Sequence, residues 1–354
     1  MNISNNITAP CLLIAAMLIL ILFQSVFFTN ADVVYTEPEF DFDTQTDIVD
    51  GNNDFIIFNN IKYRPDKFFI LAVISNICAF LLPAIFYIKL KGAGYSKNLR
   101  LSVPKFKKEY ISLTIFMFLA LVAGTVLINS LLFYFGSAGT GAEAGNIESV
   151  LPFLFYTGGN PVYDMGIFIS FVILPAFCEE FFFRSVLFAE YEKYGAFCAV
   201  IITSSAFAMS HFSFKFFPSY FFAAVIFYIL TKITNSVIFA IILHAGYNFC
   251  AIYLWDKLLG VLKFEQNRVI FIFLTAIFFI IFICLVLNGL EGVYYKKAYN
   301  NEPSPVHLSE NKQNNQNKQS KKNKRAPSVL RLYRSLLSPT FLAAIIIFFI
   351  YVFI

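Results

Sequence analysis

Residues 166–194 read GIFISFVILPAFCEEFFFRSVLFAEYEKY, an apolar run that carries two adjacent glutamates and an arginine, Glu179, Glu180 and Arg184. The run is long enough to cross a hydrocarbon core, which takes about 20 helical residues. An ionisable side chain inside such a segment costs at least about 2.5 to 3.5 kcal/mol on insertion scales, so it faces the interior of a bundle and marks function. The stretch therefore predicts a transmembrane helix with partners around it.

Those partners are visible on both sides. Apolar segments at 10–29, 68–90, 111–135, 196–217, 235–255 and 268–288 bring the number of clear spans to seven, and 218–231 and 339–354 are shorter candidates. Apolar residues make up 58% of the 354 and charged residues only 14%, against roughly 25% charged in a soluble domain. The expected fold is all-α, a polytopic transmembrane helix bundle of about 8–9 spans, with the lipid bilayer as its surroundings and no nucleic-acid partner. The first segment has no Lys or Arg before it and no small-x-small cleavage site after Thr29, so it reads as a retained anchor and not as a signal peptide. All six cysteines fall in apolar stretches without metal or redox spacing and read as small buried hydrophobes.

Charge sets the orientation. Residues 89–110 carry Lys89, Lys91, Lys97, Arg100, Lys105, Lys107 and Lys108, the pattern of a cytoplasmic loop. Residues 30–67 are acidic and 136–165 hold no Lys or Arg, so both should lie outside. The second basic region, 289–338, must return to the cytoplasm, which an even number of crossings after Lys108 allows only if 218–231 is itself a span. Four regions result: N-terminal membrane segments with their loops (1–165), a catalytic core (166–290), a basic linker (291–338) and a C-terminal apolar segment (339–354). Within the linker, Asn300 to Arg325 is a low-complexity run with too few apolar residues for a core, and reads as disordered.

One cluster of ionisable groups falls within the spans: Glu179, Glu180 and Arg184, then His211, then His244 with Asn248. Two of the chain's three histidines are here. The Tyr194-Gly195 break predicts a tight turn, with Glu179 sixteen residues before Gly195 and His211 sixteen after it. On antiparallel helices both lie about 24 Å from that turn, at one depth. His244 and Asn248 are four apart and share a helix face. Glu180 and Arg184, at i and i+4 with the acid first, form the natural ion pair. Glu179 has Pro175 and Phe183 at those offsets, and with no cation on its own helix it is free to serve as a general base or acid.

At these residues the chain resembles the CAAX-protease and bacteriocin-processing family of intramembrane proteases, related to the type II CAAX prenyl endopeptidases. The family's EExxxR, FxxxH and HxxxN motifs occur in order as Glu179-Glu180-Phe-Phe-Phe-Arg184, Phe207-Ala-Met-Ser-His211 and His244-Ala-Gly-Tyr-Asn248, with the Ser204-Ser205 pair before the second. Ser185 stands where the family commonly has glycine. The resemblance covers about 166–255 and implies an endopeptidase. In it Glu179, helped by His211, activates water; His244 and Asn248 stabilise the oxyanion; and Glu180 with Arg184 is structural. The family is often labelled metallopeptidase, and Glu179, His211 and His244 make a candidate zinc set. No HExxH is present, and the metal-free glutamate mechanism is preferred, with no cofactor required. The implied partner is a peptide or membrane-protein substrate, CAAX-like or a leader peptide, and the expected location is the plasma membrane of a prokaryote. Rival readings are a non-proteolytic bacteriocin-immunity or scaffold protein and a proton-coupled transporter. The transporter reading lacks a second acidic cluster before residue 166.

Overall fold

The computed structural model describes residues 5–29, 56–58, 61–63, 65–140 apart from 93, 96–98 and 105, 161–254, 268–299, and 332–353 apart from 333 and 334. The acidic outer loop and the low-complexity stretch lie almost entirely outside the described residues. Nine helices run in sequence among those described: α1 (Asn5–Thr29), α2 (65–91), α3 (Lys108–Thr140), α4 (161–192), α5 (Ala196–Met209), α6 (Phe217–Thr234), α7 (Val237–Tyr253), α8 (Arg268–Tyr299) and α9 (Pro339–Phe353). A short antiparallel hairpin, Ile56–Phe58 with Ile61–Tyr63, is the one departure from an all-helical fold among the described residues. Helices dominate because a chain this apolar must satisfy its backbone groups internally wherever lipid replaces water.

Burial ranks the helices. Half of the apolar window of α4 is buried, and 56% of that of α6, against 11% of that of α8. So α4 and α6 are central, whereas α8 turns Ile270, Phe273, Ile280 and Leu287 outward, as a lipid-facing helix does. Tight seams hold the bundle. A Cβ at Gly124 of α3 would sit 2.5 Å from the Phe222 ring of α6 and 2.8 Å from the Phe279 ring of α8, so only glycine admits both aromatics there. Cys178, Cys198 and Cys250 are buried as expected, but Cys11 and Cys284 are exposed. On apolar helices such as these, an outward cysteine meets lipid and not water.

Two helices widen into π turns where proline interrupts them. Pro83 follows the π segment Ile77–Leu81 and Pro175 follows Phe168–Ile173. A helical proline lacks an N–H and its ring collides with the carbonyl four residues earlier, here Ala79 and Phe171, and both lie in the widened turns, which absorb the clash. A third π segment, Phe181–Leu187, has no proline and contains the buried Arg184.

Charged residues gather at one end. Glu190 pairs with Lys91 at 3.7 Å and with Lys193, Glu192 pairs with Arg100 and Lys232, and Lys296 reaches Glu109. The 89–110 loop is also sewn to the α6–α7 turn: Val237 N donates to Arg100 O at 3.1 Å and Ser236 Oγ to Ser102 O at 3.1 Å. The loop, the α4–α5 turn, the α6–α7 turn and the end of α8 thus share one face of the bundle, the arrangement that parity required of the 218–231 segment. That segment is α6, one of five helices long and apolar enough to cross a membrane.

Two of the seven clear spans are shorter than expected, Ala196–Met209 and Val237–Tyr253, whereas α1 covers the whole of 10–29. In α5 the cause is local, since Ser210 Oγ donates back to Phe207 O at 2.8 Å and His211 Nδ1 takes the same carbonyl at 2.9 Å, while Pro218 opens the next helix. Fourteen residues reach about 21 Å, short of a hydrocarbon core of about 30 Å. The 210–216 turn therefore falls about 21 Å from the charged end, with Phe214 and Lys215 exposed on it. This is an integral membrane protein with irregular backbone between two of its helices.

Candidate active site

The site is built on the last α-helical turn of Leu174–Glu180 and the π turn that follows it. Glu180 and Arg184 are completely buried, and Arg184 Nη1 lies 3.0 Å from Glu180 Oε1. His244 of α7 places Nδ1 2.9 Å from the same oxygen. One carboxylate oxygen thus ties α4 to α7, which the intrahelical pair expected from sequence did not include. Arg184 extends the link, donating from Nη2 to Ala224 O of α6 at 3.2 Å. Its guanidinium also lies 4.5 Å from the Phe207 ring centre and 5.2 Å from that of Phe227. A buried cation needs such partners, because an uncompensated one costs several kcal/mol; Arg184 Nε and Nη1 nevertheless make no hydrogen bond among the described residues.

Glu179 is also buried but differently placed. Its Oε2 has no hydrogen-bond partner among the described residues, and the side chains that act on it electrostatically include His244, Glu180 and Arg184. Glu180 Oε2 is likewise without a hydrogen bond, but its Oε1 is held twice.

His211 is on the turn after α5, not on the helix itself. A carbonyl only accepts, so Nδ1 must carry the proton it gives to Phe207 O, and a neutral ring then leaves Nε2 as an acceptor. The ring stacks on Tyr220 of α6, centroids 3.9 Å apart and planes 25° apart. No hydrogen bond joins Glu179 to His211 among the described residues. Their helix faces do meet: the Phe183 and Phe207 rings are 5.3 Å apart, and Glu179 precedes the first by one turn as His211 follows the second. The tight turn expected at Tyr194-Gly195 is present, with Gly195 at φ +112°.

His244 stacks on Phe227 at 4.8 Å, and Asn248 lies one turn further along α7, half-buried. The two share a face as expected, but the Nδ1 edge of His244 is committed to Glu180, so only its Nε2 edge is open to a ligand. Tyr220 was missed from sequence, because nothing in its spacing separates it from the other tyrosines; its stack on His211 and its electrostatic coupling to Glu179 place it in the site.

Residues 161–250 match the family model described as type II CAAX prenyl endopeptidase Rce1-like. Over this stretch the chain is similar to that family of CAAX proteases. The matched stretch runs from the start of α4 into α7 and contains Glu179, Glu180, Arg184, His211, His244 and Asn248, while α1 to α3, α8 and α9 lie outside it. No curated protein and no solved structure gives a match to the chain. The candidate zinc set, Glu179, His211 and His244, does not fit an ion as placed: no group of three His, Cys, Asp or Glu side chains converges to hold one among the described residues. Each histidine directs Nδ1 at a protein oxygen, which leaves Nε2 as its remaining ring nitrogen.

Proposed function

We propose that the protein is an intramembrane endopeptidase in which Glu179 is the general base. The observation that carries this reading is the contrast between two adjacent buried glutamates, Glu180 held twice through Oε1 and Glu179 in no ion pair or hydrogen bond among the described residues. Glu179 Oε2 takes a proton from water as the water oxygen bonds to the scissile carbonyl carbon. The negative charge moves to the carbonyl oxygen, where His244 Nε2 and the Asn248 amide act as donors. Preorganised donors of this kind are each worth about 2.7 to 4 kcal/mol. Collapse breaks the C–N bond, and the proton held by Glu179 passes to the departing amine. His211, with Nδ1 fixed on Phe207 O, presents Nε2 to the attacking water.

Glu180 and Arg184 hold the frame, and Glu180 also fixes the ring orientation of His244. The substrate is a peptide or membrane-protein segment that enters from the bilayer, either a CAAX-like tail or a leader peptide. Cleavage of a membrane-peptide library in proteoliposomes made in ¹⁸O-water tests the proposal. Wild type should produce fragments with one ¹⁸O in the new carboxylate, and Glu179→Gln should produce none. Equal fragmentation by both proteins would overturn it.

A further inference from the structure

The turn that carries His211 is irregular backbone between two apolar helices, and wherever lipid replaces water such backbone needs protein to cover it. Much of that cover comes from α9, a helix far from the catalytic motifs in sequence and outside the 161–250 family match. Phe341, Ala344 and Phe348 bury one side of α9, which packs along α1. Its start lies toward the charged end, where Ser335 meets Cys198, and its final turns reach the 212–217 segment. There the Tyr351 ring packs on Phe212 at 4.7 Å, Phe353 and Phe349 on Phe214 at 5.8 and 6.2 Å, and Phe348 on Phe217 at 6.1 Å.

Phe212 directly follows His211 and has φ +49°. The left-handed region is uncommon for a bulky residue, and such a conformation persists only where the surroundings over-determine it. Within the turn, Phe212 N donates to Met209 O at 3.1 Å. The one aromatic ring packed against its side chain from another helix is Tyr351, among the described residues.

We infer that α9 is a clamp on the active-site turn and that Tyr351 is a positioning residue: its ring on Phe212 holds the left-handed backbone that presents His211. The catalytic use of His211 rests on the proposed endopeptidase function; the clamp itself does not. Loss of the Tyr351 ring should loosen the 210–216 backbone, turn His211 away from the water and slow chemistry without weakening substrate binding. The phenol oxygen has no part in this, so phenylalanine should serve as well.

The test uses full-length protein in proteoliposomes with Tyr351→Ala, Tyr351→Phe and, as a control on the lipid-exposed side of the same helix, Ile346→Ala. Amide hydrogen exchange over 210–216 is measured beside kcat and KM. In Tyr351→Ala, exchange across 210–216 should accelerate while α5 stays as in wild type, and kcat should fall by up to about a hundredfold at unchanged KM, the scale of a catalytic group misplaced by about 1 Å. Tyr351→Phe and Ile346→Ala should match wild type in both readouts. Unchanged exchange over 210–216 in Tyr351→Ala, or a Tyr351→Phe variant as impaired as Tyr351→Ala, would overturn the clamp. If Tyr351→Ala unfolds throughout, Tyr351→Leu replaces it under the same criteria. Exchange is read again in a Glu179→Gln background, so a protein that cleaves nothing would sink the proposed function while the exchange data still decide the clamp.

Discussion

Glu180 Oε1 is shared by Arg184 on its own helix and His244 on α7, at 3.0 and 2.9 Å. The adjacent glutamates should therefore fail in different ways. Glu179→Gln should abolish cleavage and leave thermal stability near wild type, because neutralising an unpaired buried carboxylate removes a desolvation cost and breaks no pair. Glu180→Gln strands Arg184 in the bundle, and breaking a buried pair from one side costs about 3 to 5 kcal/mol. Replacing Glu180 and Arg184 together by Gln and Met should recover stability better than either single change. It should not recover activity, since His244 still lacks the carboxylate that orients it. A stable, inactive Glu180→Gln beside an unstable Glu179→Gln would exchange the two roles.

Tyr220 and His211 stack face to face, so the tyrosine ring should matter more than its hydroxyl. Such a pair is worth about 0.5 to 1.5 kcal/mol, which corresponds to about a two- to tenfold change in rate. Tyr220→Phe should keep kcat/KM within about twofold, and Tyr220→Ala should lower it toward the tenfold end. A Tyr220→Phe variant as slow as Tyr220→Ala would give the hydroxyl a direct part in the chemistry.

The bundle and the Glu180–Arg184 pair were legible in the sequence, because lipid exposes buried charge as an anomaly and i, i+4 spacing names the partner. Parity of basic loops even promoted 218–231 to a crossing helix, which α6 is long and apolar enough to be. The contact from Glu180 to His244 was not legible, since helical spacing predicts partners within a helix and is silent about those 64 residues away. Span ends were misjudged for a related reason. Apolar composition continues through the 210–216 turn, and what stops α5 is side-chain capture of the Phe207 carbonyl by Ser210 and His211. The π turns were hidden too, although Pro83 and Pro175 give two of them a cause. The role of α9 depends on aromatic rings meeting across more than 130 residues of chain and has no local signature.

Orientation gives a direct test. The ion pairs at one end join the 89–110 loop to the end of α8 through Lys296 and Glu109, so both basic regions must lie on one side, and an excess of Lys and Arg makes that side cytoplasmic. In a cysteine-free background, Lys97→Cys should react with a membrane-impermeant thiol reagent only after the cells are opened, and Asp41→Cys should react in intact cells. Labelling of Lys97→Cys from outside would invert the topology.

Metal dependence follows from how far the three candidate ligands are from sharing one point. Both Nδ1 atoms are engaged, His211 with a backbone carbonyl and His244 with Glu180, and Glu179, His211 and His244 do not converge on a common point as a ligand set would. We therefore expect purified protein stripped with a chelator, and shown by elemental analysis to contain far less than one equivalent of zinc, to keep its full rate of cleavage. Added zinc should not raise that rate. His211→Ala should lower kcat by about a hundredfold or more, as loss of a general acid–base partner does, without changing the metal content. Activity that rises and falls with one tightly bound zinc per chain, lost together with the metal in His211→Ala and His244→Ala, would make these histidines ligands and remove Glu179 from the role of unaided base.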